Sequence, residues 1–187
     1  SGSLTRTTTA TLVVNPAPTP DFSLTATPAS QTVVAGNPTS YTVNITRTGG
    51  FTGAVTLGVS GLPTGTSGSF NPNPASTASS TLSVTTGTST PAGSYLFTIT
   101  GTSGSLTRTT TATLVVNPAP DFSLSASPSS QTVAPGFSTS FTVTIARSGG
   151  FTAGVSFIVS RLPAGATRTF SPHPSSGASS ALSGVTI

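Results

Sequence analysis

The stretch "SGSLTRTTTATLVVNPAP" fills residues 103–120, and the same eighteen letters fill residues 1–18. Its middle alternates. Leu106, Ala112, Leu114 and Val116 share one parity with Arg108, and Thr107, Thr109, Thr111 and Thr113 share the other. A period of two marks a strand with one face on a core and the other in water. β-Branched Thr and Val fit a pleated surface better than a helix. The closing "NPAP" ends the strand, since proline has no amide hydrogen to give to a ladder.

The same alternation recurs on either side. Phe22 and Leu24 share a face in "DFSLTATP", as do Tyr41, Val43 and Ile45 in "SYTVNIT" and Val55, Leu57 and Val59 in "AVTLGVS". "STLSVTT" offers Leu82 and Val84, and "SYLFTIT" offers Tyr95, Phe97 and Ile99. Turn signals separate the runs: "TRTGGFTG", "GLPTGTSG", "NPNP" and "TPAG". Roughly seven short strands in about 100 residues, with turns every 8–12, predict an immunoglobulin-like sandwich. The core expected from this pattern is Phe22, Leu24, Tyr41, Val43, Val55, Leu57, Phe70, Leu82, Tyr95 and Phe97.

The chain repeats itself. Residues 21–87 align with 121–187 without a gap, at 37 identities in 67 positions. The expected organisation is the final strand and Pro-rich linker of a preceding repeat at 1–20, a complete repeat at 21–120, and a repeat lacking its last two strands at 121–187. The fold class is all-β, with tandem sandwiches of about seven strands and the second incomplete. The linkers "NPAPTP" (15–20) and "NPAP" (117–120) are stiff, because proline favours extended polyproline II.

Composition narrows the function. The 187 residues include 39 Thr and 32 Ser but no Cys, Met, Trp, Lys or Glu. Hydroxyls replace charges as the solubilising groups, and without Cys stability rests on sheet packing. Six scattered Arg give a net charge of +4 but no clustered basic patch, so nucleic acid is not an expected partner. No apolar run reaches the roughly 18 residues of a membrane span.

Catalysis finds little to work with. The lone His173 stands in "SPHPSS" where the first copy reads "NPNPAS", as expected of an exposed loop tip rather than a general base. Asp21 and Asp121 are equivalent positions in successive copies, which suits turn residues bonding nearby amides and offers no carboxylate pair. One Asp per joint is poor material for calcium, so neither a metal nor a cofactor is expected. Arg47 matches Arg147, and Arg6 matches Arg108. The expectation for them is solubilising charge at strand ends, loosely paired with Asp across the joint. Gly49–Gly50 and Gly149–Gly150 are turn glycines, since no helix follows to complete a phosphate loop.

The pattern "DFSLSASPSSQTVAPG…STSFTVTI…GGFT…LPAGA", most specific at the "GGFTG.V" and "GLP.G" turns, resembles the Ig-like repeats of large secreted and surface proteins of bacteria. The resemblance implies an extracellular or cell-surface compartment and a spacer, stalk or adhesive unit, with no catalytic residue. The Lys–Asn crosslink of some such domains is impossible without Lys.

The leading expectation is therefore a non-catalytic module of an extracellular fibre, stalk or adhesin, with other copies of the repeat as head-to-tail partners. Two accounts fit residues 1–18: a window cut from a longer array, or strand exchange between chains. For the latter, Leu4, Arg6, Ala10, Leu12 and Val14 are the candidate exchanged segment. The alternative is an accessory domain of a secreted hydrolase that binds glycan or cell-wall polymer. Phe51 and Phe151, after the "GG" turns, are its candidate surface aromatics.

Overall fold

Across residues 2–186, which the computed structural model describes, the alternating runs become twelve strands without a helix. Side chains are described up to Ala178. The first repeat holds β1 (Asp21–Thr27), β2 (Ser30–Val34), β3 (Pro38–Thr48), β4 (Thr56–Ser60), β5 (Thr66–Asn71), β6 (Ser79–Thr86), β7 (Gly93–Ser103) and β8 (Leu106–Asn117). They form two four-stranded sheets, ordered β1-β3-β6-β5 and β2-β8-β7-β4. This is an immunoglobulin-like sandwich whose first strand is divided between sheets. β1 pairs antiparallel with β3, and β2 pairs parallel with β8. Pro28, which cannot donate to either ladder, lies in the switch between them.

The two inner faces meet over the residues that share parity. Phe22, Leu24, Tyr41, Val43, Val55, Leu57, Leu82 and Phe97 are buried, joined by Ile45, Val84, Ile99, Leu114 and Val116. Tyr41 sets its ring edge-on to Phe97 at 5.1 Å, and its hydroxyl donates across the sandwich to the Thr113 carbonyl at 2.7 Å. Burial pushes the Tyr41 hydroxyl up to a pKa of about 12. Near the end of β7 the sheets pack closely: a Cβ on Gly101 would lie 2.9 Å from Val55 Cγ1 and 3.0 Å from Leu24 Cδ1, so these side chains would have to move. The opposite face of β7 and β8 carries Thr98, Thr100 and Thr102 beside Thr111, Thr109 and Thr107 in register, which is where much of the threonine is used.

Two expected core residues sit at the rim instead. Phe70 is half-buried because β5 is an edge strand. Tyr95 is half-buried because its hydroxyl donates to the Pro91 carbonyl at 2.9 Å near the start of β7.

The second repeat holds β9 (Asp121–Ser127), β10 (Ser138–Ser148), β11 (Thr167–Ser171) and β12 (Ser179–Thr186). They form one sheet, ordered β11-β12-β10-β9, the counterpart of β1-β3-β6-β5. The bridge Val155–Ser175 matches Val55–Ala75, but the counterpart of β4 at 156–160 makes no strand, and neither does that of β2, "SQTVA" at 130–134. The cause is the partner: β2 exists by pairing with β8, and no strand among the described residues takes that place beside 130–134. Burial follows the same rule. Phe22 and Leu24 are 2% and 7% exposed, whereas Phe122 and Leu124, in the same sequence context, are 37% and 51% exposed.

That difference is measurable. Leu24→Ala should cost about 2–5 kcal/mol, the usual range for a buried leucine. Leu124→Ala should cost less than half as much, because much of the side chain is already in water. Both tyrosines lie in the first repeat, so tyrosine fluorescence during urea unfolding should shift for Leu24→Ala and stay put for Leu124→Ala.

Candidate functional site

The described residues gather no group of three or more His, Cys, Asp and Glu able to hold a metal, and no helix is long and apolar enough to cross a membrane. The most elaborate local construction is the joint at the start of each repeat. There β3 ends in a turn in which the Phe51 amide donates to the Thr48 carbonyl at 3.0 Å, with Gly49 and Gly50 at φ 59° and 79°. Left-handed conformation at both central positions selects glycine. The second reason for Gly49 is contact. The Thr19 carbonyl oxygen lies 2.1 Å from where a Cβ would stand.

The second repeat builds the same saddle. Gly149 has φ 58°, and the Ala119 carbonyl oxygen lies 2.1 Å from its would-be Cβ. Ala119 therefore faces two ways: its side chain packs on the core of the first repeat while its carbonyl rests on the turn of the second. Just before it, the Asn117 carbonyl accepts from the Ala35 amide at 2.9 Å. Between β8 and β9 remain Pro118, Ala119 and Pro120, and both prolines have fixed φ. Little freedom is left.

Arginine holds each turn in place. Arg47 donates to the carbonyls of Thr77 at 2.6 Å, Ala75 at 3.1 Å and Gly53 at 3.4 Å, tying the turn to the segment before β6. Arg147 donates to the carbonyls of Gly177, Ala153 and Ser175, with its guanidinium carbon 5.8 Å from the centre of the Phe151 ring. These arginines are thus structural ties, where solubilising charge was expected.

Asp21, first in β1, accepts from the Phe22 amide and from Arg108 Nη2, each at 2.7 Å. The Arg108 hydrogen bond, then the Phe22 amide, lower its pKa. This pair lies within one repeat, not across the joint as expected. Asp121 keeps its bond to the Phe122 amide, but the strand that would bring its arginine is not among the described residues. The loop-tip expectation for His173 also changes. At the equivalent position, Asn73 accepts from the Leu57 amide and donates to the Leu57 carbonyl, both at 2.9 Å, so a side chain stands in for a neighbouring strand. His173 Nδ1 accepts from the Phe157 amide at 3.4 Å, and the ring stacks on Phe170 at 5.8 Å. Although exposed, both residues are tied in.

Phe51 and Phe151 are half-buried, with rings 5.3 and 5.0 Å from those of Phe22 and Phe122. Leu4, Arg6, Ala10, Leu12 and Val14 lie in no strand and are exposed. The structure brings them to none of the three sheets.

No family model matches the chain, and no curated protein does. Among solved structures, it is similar to domains 4 and 5 of the S-layer protein SbsC, at 18% identity and TM-score 0.40, over 52% of this chain and 53% of that one. It is similar to SbsC domains 5–6 at 15% identity and TM-score 0.39, over 90% and 88% of the two chains. Titin Ig tandem A164–A165 matches at 13% identity and TM-score 0.35, over 91% and 83%. The chain spans about half of the first of these. Likeness at this level names neither a ligand nor a role.

Two outcomes check the joint. Gly149→Ala forces a Cβ into the Ala119 carbonyl and a side chain into the left-handed region, which alone costs about 1–2 kcal/mol. The second repeat should unfold at lower urea, and a broad-specificity protease should cut faster at 117–121. For Asp21, a lowered native pKa means stability that is present above the unfolded carboxylate value and lost as pH falls through the native one. Asp21→Asn should therefore flatten the acid limb of the melting curve of the first repeat, most visibly at low salt.

Proposed function

We propose that the chain is a non-catalytic structural segment of a bacterial extracellular fibre, stalk or adhesin, built from tandem Ig-like repeats that join head to tail. The observation that carries this reading is Ala119, seated on one repeat by its side chain and on the next by its carbonyl. A joint so short, with prolines on both sides of that residue, transmits orientation and load where a Gly/Ser linker would dissipate them. The partners are other copies of the repeat, and the compartment is the cell surface or beyond it. Polar chemistry at the conserved turns of the two copies serves backbone ties: Arg47, Arg147, Asn73 and His173 all bond main-chain atoms.

The rival reading, a glycan- or wall-binding accessory domain, rests on Phe51 and Phe151. Their rings lie against Phe22 and Phe122 and are spent in part on packing, which supports the structural role. Small-angle scattering decides the main point: an elongated single-chain particle is expected, and a compact or freely hinged pair would refute the stalk. In a pull-down on insoluble chitin, cellulose and peptidoglycan, the chain should stay in solution. Retention abolished by Phe51→Ala would establish the binding module instead.

A further inference from the structure

One position equips the two repeats differently. In the first, the Asn73 side chain covers the outer edge of β4, accepting from the Leu57 amide and donating to the Leu57 carbonyl, both at 2.9 Å. In the second, His173 stands at the equivalent place, and its Nδ1 accepts from the Phe157 amide at 3.4 Å. We infer that this position sets whether a repeat keeps that edge covered at every pH or only while an imidazole is neutral, and that the His173 cover lets go in mild acid.

The chemistry of the two side chains is the reason. A carboxamide presents a donor and an acceptor whatever the pH, whereas a neutral imidazole accepts only at its bare nitrogen. The Phe157 amide therefore assigns the bare nitrogen to Nδ1 and the hydrogen to Nε2. A second proton must go on Nδ1, and two donors then face each other. Among unperturbed side chains, imidazole is the one that changes charge between about pH 5 and 8.

The surroundings leave the decision to that one amide. The His173 ring lies 5.8 Å from the Phe170 ring and 6.1 Å from that of Phe157. An aromatic face attracts a cation, so the charged ring can stay beside Phe170 while it releases the amide. The segment 155–158 carries no ionisable side chain. β11 carries Arg168, two positions before Phe170, and Arg147 of β10 binds the Ser175 carbonyl just beyond His173. Both stay cationic throughout this range. The one acid of the repeat, Asp121, bonds the Phe122 amide. No carboxylate stands on these elements to hold a charged imidazole in place.

The contact is independent of what pairs with the far edge of 155–158. In the first repeat the same cover forms while β4 pairs with β7 on its other side. The bridges Val55–Ala75 and Val155–Ser175 set the two segments side by side in both repeats, two residues along from each contact.

Hydrogen exchange of the full 187-residue chain, followed amide by amide from about pH 8 to about pH 5 and corrected for the intrinsic rate, is the test. Protection of the Phe157 amide should fall about fivefold as the ring takes its proton, the worth of one modest hydrogen bond, while that of Leu57 holds. His173→Asn should abolish the fall at Phe157, and Asn73→His should create one at Leu57. Nitrogen NMR of the ring at neutral pH should show the hydrogen on Nε2. Phe157 protection that stays level in the unaltered chain while the imidazole titrates overturns the inference, without recourse to either variant. A fall that persists in His173→Asn overturns it too, as does a neutral ring with its hydrogen on Nδ1. A level Leu57 in a folded Asn73→His chain removes the role given to the position.

Discussion

Strand β8 is the member on which the first repeat depends. It pairs with β7 on one side and β2 on the other, so one ladder of the second sheet exists through each of its edges. Its inner face supplies Ala112, Leu114 and Val116 to the core, and the Thr113 carbonyl receives the hydroxyl of Tyr41 from the opposite sheet. One end holds Asp21 through Arg108, and the other ends at the Asn117 carbonyl that anchors Ala35. The second repeat is a natural control. There β9, β10, β11 and β12 still form a sheet and Ile145, Val155 and Phe157 stay buried, but with no described strand in the place of β8 Leu124 is half exposed.

The control also separates local from tertiary causes. "DFSL" forms a strand in both repeats, because pairing with β3 or β10 suffices. "SQTV" forms one only in the first, because its single neighbour is β8. An amphipathic pattern thus specifies which face a residue prefers, and a partner decides whether the preference is met.

That distinction explains what could be read from the sequence. The long strands were legible because each carries two or three apolar residues at period two, as in Tyr41, Val43 and Ile45. β2 and β5 were not among the expected runs, since each is an edge strand with little apolar alternation: Val33 is buried in one and Phe70 half-buried in the other. The joint was legible as two prolines and a glycine pair, but not the carbonyl that occupies the Cβ position of Gly149, which depends on a residue thirty positions away. Arg47 and Asn73 were hidden for a similar reason. Their partners are main-chain oxygens and amides, which have no letter in a sequence. The matching Arg147 was the available signal, because a surface charge serving only solubility has no need to recur at the same turn.

The parallel pairing of β2 with β8 has a mechanical side. The chain enters the first repeat at Asp21 and leaves it at Asn117, so tension applied across this repeat would act at those two points. Pulled this way, β2 and β8 are drawn past each other along their length. The ladder from Ser30–Thr113 to Val34–Asn117 is then loaded in shear, and its bonds share the force together rather than opening in sequence as a zipper does. A strand divided between two sheets by Pro28 thus behaves as a latch. The same division that lets the sandwich close would then place this ladder in the path of the load.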